Sequence, residues 1–160
     1  MNGTTQPVRY RIRPARLDDV GGIFRLLQFY SDRGILLPRP ESDIYHSLRD
    51  FYVIHAQDRI IACAALLIYT KELGEVRSLA VDPEYQNLGL GYQLVNQLEE
   101  DARGIGLTKL MALTYVVDFF EKLGFRVVEM NQLPEKVWGA CINCPKFQRC
   151  DEIAVLKYLI

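Results

Sequence analysis

Glu75-Val-Arg-Ser-Leu-Ala-Val-Asp-Pro-Glu-Tyr-Gln-Asn-Leu-Gly-Leu-Gly91 is the stretch on which the fold of this chain depends. Its apolar first half predicts a strand, which Pro83 ends because proline cannot donate to a central strand ladder. Beyond the glycines, helical spacing predicts a helix whose buried face is made of Leu90, Leu94, Val95, Leu98, Ala102 and Ile105. A glycine loop that enters a helix directs unpaired backbone N–H groups at one spot. Residues 86–91 therefore predict a phosphate or pyrophosphate site.

The loop lacks the marks of two common phosphate-binding motifs. The dinucleotide fingerprint needs a third glycine at the position that Leu94 occupies. The nucleotide P-loop needs lysine and then serine or threonine where Tyr92 and Gln93 stand. The loop instead has the pattern Gln-x-x-Gly-x-Gly over residues 86–91. An ordinary strand–turn–helix without a ligand is the alternative for this stretch.

Composition limits the class of protein. The chain has 160 residues, of which 49% are hydrophobic and 24% charged, values typical of a globular protein. We expect a flexible tail over 1–7 and a single domain over 8–160. The net charge of −1 gives no electrostatic reason to expect a nucleic acid or an anionic membrane as partner. The polar first residues are not followed by a signal-peptide core, so we expect a cytoplasmic protein with reduced cysteines.

Alternating apolar patterns and turn residues predict a sheet with helices on both of its faces. Strands are expected over 8–13, over 50–56 and 60–69 as a hairpin, over 76–81, over 109–113, after Phe125 and over 153–159. Helices are expected between Asp18 and Gly34, around 44–48, after the glycine loop, and before Gly124. This order predicts an α/β (α+β) protein with a mixed, mostly antiparallel central sheet.

Arg39 lies in an unusual loop, Gly34-Ile-Leu-Leu-Pro-Arg-Pro40. The two prolines fix their own φ angles and restrict the residues before them, which leaves this arginine little freedom. A stiffened guanidinium suits a bidentate bond to a carboxylate. The alternative is a loop that packs its aliphatic residues on the core and leaves Arg39 in water.

Three cysteines cluster near the end of the sequence, in a segment over 134–151. Cys141 and Cys144 have the two-residue spacing of a metal knuckle, and Cys150 could supply a third thiolate. A closed zinc site needs four ligands, and neither histidine lies nearby. Zinc or another metal, an iron–sulfur cluster, a disulfide and free thiols therefore all stay open. Cys63 lies in an apolar run and is expected in the core.

Several segments together resemble the GNAT (GCN5-related) N-acetyltransferase superfamily, in particular its single-domain bacterial N-acetylglutamate synthases. Besides the glycine loop, the matching segments are residues 34–39, 62–66, 74–81, 112–115, 119–125 and 133–134. The resemblance implies the GNAT fold and an enzyme that transfers acetyl from acetyl-CoA to the α-amine of L-glutamate, the first step of arginine biosynthesis. Longer members also carry an amino-acid-kinase domain that binds arginine. This sequence has no room for it, so we expect no arginine feedback through such a domain.

The resemblance also implies which residues hold acetyl-CoA. The strand backbone at Leu79, Ala80 and Val81 would meet the acetyl-pantetheine arm and polarise the thioester carbonyl. The loop would hold the pyrophosphate, and the short helix near Phe119 would lie beside the pantetheine. The remaining cofactor residues implied in this way are Gln86, Asn87, Leu88, Gly89, Leu90, Gly91 and Tyr92.

Glu75 matches the general base of the family, which acts through water. A base has physical sense here, because an α-ammonium must lose a proton before it can attack. A surface ion pair between Glu75 and Arg77 is the alternative. The implied proton donors near the leaving thiolate are Thr114 and Tyr115. The implied ligands of the substrate carboxylates are Arg39, Arg77 and Lys157, of which the lysine cannot form the bidentate bond of the arginine found there in longer members.

Two other functions stay open at this level. One is a GNAT enzyme that acetylates another amino acid, such as glutamine, or a different small amine. The other is a non-catalytic module that binds acetyl-CoA and senses metal or redox state through its cysteines. A homodimer is a further expectation from the family.

Overall fold

The computed structural model describes residues 10–134 and 152–159, and within them the chain forms seven strands and four α-helices. The strands are β1 (Ile12–Pro14), β2 (Phe51–Ala56), β3 (Arg59–Ile68), β4 (Leu73–Val81), β5 (Lys109–Thr114), β6 (Arg126–Val128) and β7 (Ile153–Tyr158). The helices are α1 (Val20–Ser31), α2 (Glu41–His46), α3 (Leu90–Ile105) and α4 (Val117–Lys122). Among these residues, no helix is both long enough and apolar enough to cross a lipid bilayer.

The strands form one mixed sheet in the order β1-β2-β3-β4-β5-β7-β6. Strands β4 and β5 run parallel, with Glu75 opposite Met111, and α3 is the crossover that connects them. Strands β5 and β6 both pair with β7 in antiparallel register, and β1 pairs antiparallel with β2. Helices flank this mostly antiparallel sheet. The predicted fold class is therefore confirmed.

By their internal contacts, the residues fall into two compact units. Among the described residues, the first unit consists of 10–63 and Ala80–Leu94, and it contains α1, α2, β1, β2 and the glycine loop. Helix α1 buries one face, made of Val20, Ile23, Leu26 and Leu27. Strand residues complete the core of this unit, among them Phe51, Val53, Ile54 and Ile61.

Among the described residues, the second unit consists of Ala64–Leu79, 95–134 and 152–159. One apolar cluster of its core is formed by Leu73, Met111, Leu133, Ala154 and Leu156. Partly buried side chains pack against this cluster, namely Tyr69, Leu113, Val128 and Met130. The single domain predicted over 8–160 stays a prediction.

The buried face predicted for α3 is right except at its last residue. Five of the six predicted positions are at most 2% exposed, but Ile105 is 61% exposed. The helix ends there, because Gly106 takes a left-handed φ of 97° and the Leu107 N–H donates to the Ala102 carbonyl at 2.9 Å. This turn places Leu107 in the core instead of Ile105.

Strand β1 is shorter than the predicted strand over 8–13. Residues 1–9 lie outside the described range, and Tyr10 and Arg11 are not part of the strand. The ring of Tyr10 instead packs edge-on against Tyr85, with 6.0 Å between the ring centroids.

The contact between α1 and β3 depends on a glycine. A Cβ added at Gly22 would lie 2.7 Å from Cγ1 of Ile60, whereas one added at Gly21 would meet only the end of the Arg25 side chain at 3.7 Å. We expect Gly22→Ala to lower the free energy of unfolding by about 1–3 kcal/mol through overpacking. Gly21→Ala in the same helix should leave it unchanged or raise it by up to about 1 kcal/mol. Urea unfolding of both variants checks this, and equal effects would contradict it.

Candidate active site

The glycine loop leaves β4 through a turn and enters α3 directly. A 3-10 turn over Pro83–Tyr85 follows the strand, and the Asp82 carboxylate caps it by accepting from the Glu84 N–H at 2.9 Å. Asn87 and Gly89 then take left-handed φ angles of 64° and 79°. Successive residues that alternate in this way turn their N–H groups toward one side, which forms an anion-binding concavity.

Helix α3 begins at the end of this loop. Its first backbone bond runs from the Gln93 N–H to the Gly89 carbonyl at 3.1 Å. The dipole of the helix favours an anion at this end. Leu90 anchors the helix start in the core at 2% exposed, while Leu88 is 53% exposed. The buried Leu90 thus fixes the end of the loop to the core, while the loop at Leu88 is exposed to solvent.

The carboxylate of Glu75 lies in the interior of the second unit. The residue is only 4% exposed, and its Oε1 accepts from the Tyr69 hydroxyl at 2.7 Å and lies 2.9 Å from Nε of Arg77. Burial raises the pKa of Glu75 above its ordinary value of 4.5, and the charge of Arg77 and the bond from Tyr69 oppose that rise. The ion pair with Arg77 that stood as the alternative does form. Its acidic member, however, is buried, and a buried carboxylate of raised pKa is suited to accept a proton.

Strand β4 is distorted near its end, at Ser78. Ser78 takes a left-handed φ of 53°, which is uncommon for a residue other than glycine and typical of a β-bulge. Such a distortion changes the direction of the backbone that follows it, here Leu79, Ala80 and Val81. These are the residues predicted to meet the acetyl-pantetheine arm.

Thr114 and Tyr115 lie where β5 ends. The Thr114 hydroxyl is buried and accepts from the Val116 N–H at 2.8 Å, which leaves its own proton to donate. Tyr115 is 40% exposed. Phe119, in α4, is partly buried and packs edge-on against Phe120 with 5.1 Å between centroids.

Arg39 is held by its neighbours in the first unit. Its Nη2 donates to the Ser47 hydroxyl at 2.8 Å, and its guanidinium lies over the ring of Phe51 at 5.4 Å. Burial raises the pKa of the Asp50 carboxyl, and the charge of Arg39 opposes that rise. The arginine is half-buried and oriented, so the alternative of a side chain simply left in water does not describe it.

Lys157 has partners inside the second unit. Its Nζ donates to Oε1 of the buried Glu99 at 2.8 Å and to the carbonyl of Leu123 at 2.7 Å, at the end of α4. The lysine thus ties α4 and β7 to α3. Its role as a substrate ligand stays a prediction, and a carboxylate would compete with these two acceptors.

A family model described as the acetyltransferase (GNAT) family matches residues 23–125. The chain belongs to this family. An uncharacterized N-acetyltransferase of Chlorobaculum tepidum is 39% identical over 148 residues, which cover 92% of this chain and 96% of that protein. The amino-acid acetyltransferase of Pseudomonas aeruginosa strain PAO1 is 37% identical over 156 residues, which cover 95% of this chain and 35% of that protein. This GNAT acetyltransferase therefore spans about a third of the length of the curated amino-acid acetyltransferases that it matches.

Two solved structures are similar to this GNAT chain over nearly all of its length. One is N-acetylglutamate synthase from Neisseria gonorrhoeae, complexed with coenzyme A and N-acetyl-glutamate. Its TM-score is 0.88 at 26% identity, and the match covers 97% of this chain and 36% of that chain. The other is a Mycobacterium tuberculosis protein in complex with CoA and NLQ, with a TM-score of 0.80 at 27% identity, covering 94% of this chain and 99% of that chain.

The predicted metal cysteines Cys141, Cys144 and Cys150 lie outside the described residues, so their role stays a prediction. Within residues 10–134 and 152–159, no cluster of side chains is suited to hold a metal ion. The prediction that Cys63 is a core residue is confirmed. It is fully buried in β3, and burial raises the pKa of its thiol to about 12.

Two tyrosines at the site were missed by the sequence analysis. Tyr69 donates to Glu75, and Tyr30 donates to the Val81 carbonyl at the end of β4. A tyrosine that ends an otherwise apolar pattern is a weak signal for such a role, because its ring can be buried while its hydroxyl needs a partner.

The left-handed backbone at Ser78 gives a stability prediction for this GNAT domain. Ser78→Gly and Ser78→Ala both remove the hydroxyl, but only glycine adopts this φ without steric cost. We expect the glycine variant to have a free energy of unfolding about 0.5–1 kcal/mol higher than the alanine variant. The same pair at Ser42, exposed in α2, should show the opposite order, because alanine favours a helix. Denaturant unfolding measures both pairs, and an alanine variant at 78 as stable as the glycine variant would contradict the prediction.

Proposed function

We propose that this protein transfers the acetyl group of acetyl-CoA to the α-amine of an amino acid, with L-glutamate as the favoured acceptor. In that role it would be an N-acetylglutamate synthase of arginine biosynthesis in the cytoplasm. Relatives named amino-acid acetyltransferase and a neighbour complexed with N-acetyl-glutamate support this acceptor. The observation that carries the chemistry is the buried Glu75 carboxylate, whose raised pKa makes it a proton acceptor.

In the proposed reaction, the α-ammonium of the amino acid first gives one proton, through water, to Glu75. The free amine attacks the thioester carbonyl carbon, so that a C–N bond forms and the carbonyl oxygen takes the negative charge. Backbone N–H groups of the strand at Leu79 and Val81 would stabilise that oxygen. Collapse of the intermediate breaks the C–S bond, and the CoA thiolate leaves and takes a proton from a side-chain hydroxyl. The nitrogen, cationic after the attack, loses its second proton to water, and solvent restores the proton of that hydroxyl.

The proton for the thiolate would come from Thr114 or Tyr115. Thr114 is the better oriented of the two, because its hydroxyl oxygen already accepts a hydrogen bond from the backbone N–H of Val116. Tyr115 is the more exposed of the two and could exchange its proton with solvent. Neither residue needs to form a covalent intermediate, since an amine can attack the thioester directly.

Acetyl-CoA would be held mainly by the loop of the first unit. The concavity made by the left-handed Asn87 and Gly89 and the start of α3 suits the pyrophosphate. The strand backbone from Leu79 to Val81 would bind the pantetheine arm, with Tyr92 and Phe119 as further contacts. Both neighbours described above were solved with coenzyme A, which supports this cofactor.

The substrate carboxylates would meet arginine side chains. Arg39 is oriented by Ser47 and Phe51, so less side-chain entropy is lost when a carboxylate binds. Arg77 uses its Nε on Glu75, is 43% exposed, and has other nitrogens with which to bind a second carboxylate. Lys157 is the weakest of the three proposed ligands because its ammonium has two acceptors in the fold.

Thiol release with acetyl-CoA and a panel of amines tests the proposed function. We expect the highest kcat/KM with L-glutamate, ahead of L-glutamine, L-aspartate and simple amines. Glu75→Gln should lower kcat by about 10²–10⁴-fold, the usual contribution of a general base, with CoA affinity retained. CoA binding without thiol release from any amine would favour a sensing module instead. Undiminished release by Glu75→Gln would remove Glu75 as the base.

The pH dependence of kcat/KM gives an independent test of the base. Activity needs the ionised carboxylate, so the acid limb should lie above the ordinary glutamate pKa, because burial raises the pKa of Glu75. The Tyr69 hydroxyl stabilises the carboxylate, so Tyr69→Phe should raise the pKa of Glu75 further and move the acid limb to higher pH.

Tyr158→Phe is the matched control for this shift. The ring of Tyr158 contacts Lys109 and Arg126 and is not part of the proposed site. The acid limb of the Tyr158→Phe variant should therefore coincide with that of the unmodified protein. An acid limb that Tyr69→Phe leaves in place would show that the titrating group is not Glu75.

A further inference from the structure

The carbonyl of Val81, at the end of β4, accepts hydrogen bonds from two side chains of the first unit. The hydroxyl of Tyr30, in α1, donates to this oxygen. Nε2 of Gln86 donates to the same oxygen at 3.0 Å and also to the Tyr30 hydroxyl at 3.0 Å. The three groups therefore form a closed hydrogen-bonded triangle, which we call the Tyr30 triangle.

The donors and acceptors of the Tyr30 triangle are matched. A tyrosine hydroxyl has one proton, which goes to Val81, and it accepts the bond from Gln86. The amide nitrogen of Gln86 lies 3.0 Å from both the Tyr30 hydroxyl oxygen and the Val81 carbonyl oxygen, so one of its N–H groups is directed into the triangle. The side chain of Gln86 is thus turned back toward the strand, and this residue contributes to the loop by holding it.

The triangle lies at the entrance of the glycine loop. Gln86 is the residue before the left-handed Asn87, and its φ of −68° and ψ of 156° are extended. Tyr30 belongs to a twelve-residue helix whose other face is buried in the core, so its ring has a rigid support. Burial raises the pKa of the Tyr30 phenol, the Asp82 charge adds to the rise, and the bond from Gln86 opposes it. The hydroxyl thus keeps its proton at neutral pH and remains a donor.

We propose that Tyr30 is a positioning residue for the pyrophosphate of CoA: its hydroxyl holds Gln86 and the end of β4 together, and so keeps the N–H groups of residues 87–90 directed at the anion. This inference rests on the proposed function, because it requires that the chain binds CoA. A loop fixed before the ligand arrives loses less conformational entropy on binding. Loss of the Tyr30 hydroxyl should therefore weaken the binding of the pyrophosphate and leave the contacts with the rest of the ligand unchanged.

The test compares a donor that has the pyrophosphate with one that lacks it. Tyr30→Phe should lower kcat/KM for acetyl-CoA by about fivefold to tenfold, the loss expected for one neutral hydrogen bond. With S-acetylpantetheine, which has no pyrophosphate, the same variant should keep the kcat/KM of the unmodified protein. Tyr158→Phe is the control and should change neither value. Gln86→Met, which fills the same space without the amide donors, should reproduce the selective loss.

Coupling between the two residues provides a second readout. If Tyr30 and Gln86 act as one triangle, the double variant should lose about as much kcat/KM for acetyl-CoA as either single variant. Two residues that acted separately would give losses that multiply. A cooperative thermal unfolding transition in each variant checks that the variant is folded. The affinity for CoA, measured by titration calorimetry, should fall in parallel with kcat/KM.

Several results would overturn the inference. Unchanged affinity for CoA in Tyr30→Phe would contradict it while leaving the proposed function intact. An equal loss with acetyl-CoA and S-acetylpantetheine would show that Tyr30 supports the fold or the chemistry as a whole. An unmodified protein that does not bind CoA at all would contradict the proposed function, and this inference with it.

Discussion

A carboxylate kept out of water on strand β4 is the constraint on which the proposed site depends. Burial of an unpaired charge is unfavourable. Here the hydroxyl of Tyr69 and the guanidinium of Arg77 both contact the same oxygen of Glu75 and stabilise its charged form. The parallel register with β5 places Glu75 opposite Met111, next to the apolar cluster around Leu73. Tyr69 packs against that cluster and still reaches the carboxylate. The result is an ionisable glutamate whose pKa is raised by burial.

At the end of β4 that leads into the glycine loop, polar groups must be exposed and not buried, because a phosphate-binding loop presents its backbone N–H groups to the ligand. Within the described residues, four positions other than glycine have left-handed φ angles. Gln57 and Asp58 form the two-residue turn of the β2–β3 hairpin, where this geometry is usual. Ser78 and Asn87 instead lie in β4 and in the loop that follows it. Backbone strain outside the hairpin is thus concentrated on the strand and loop to which the chemistry is assigned, a common property of functional sites.

The sequence predicted the fold well because its signals were local. Helical spacing gave α3 and five of its six buried positions, and the turn residues gave the hairpin. The glycine pattern located the loop, and the comparisons confirm the family. Local patterns also explain the error at Ile105, since periodicity does not show where the chain turns at Gly106 and sends Leu107 inward.

The partners that define the site were not predictable in this way, because they come from distant parts of the chain. Tyr30 and Val81 are separated by 51 positions, and Lys157 and Glu99 by 58. The role of Gln86 as a pyrophosphate ligand stays a prediction, and nothing local showed that its amide would turn back onto the strand. The burial of Glu75 likewise follows from strand pairing, which a single sequence does not show.

The most direct test of this site is the titration of Glu75 itself, followed by the carboxyl ¹³C chemical shift of glutamate-labelled protein and assigned with Glu75→Gln. We expect one carboxyl, absent in that variant, to titrate above the ordinary glutamate value of 4.5 because burial disfavours its charged form. A Glu75 carboxyl that titrates at or below that value would contradict a buried, tuned base, and with it the proposed route of proton removal.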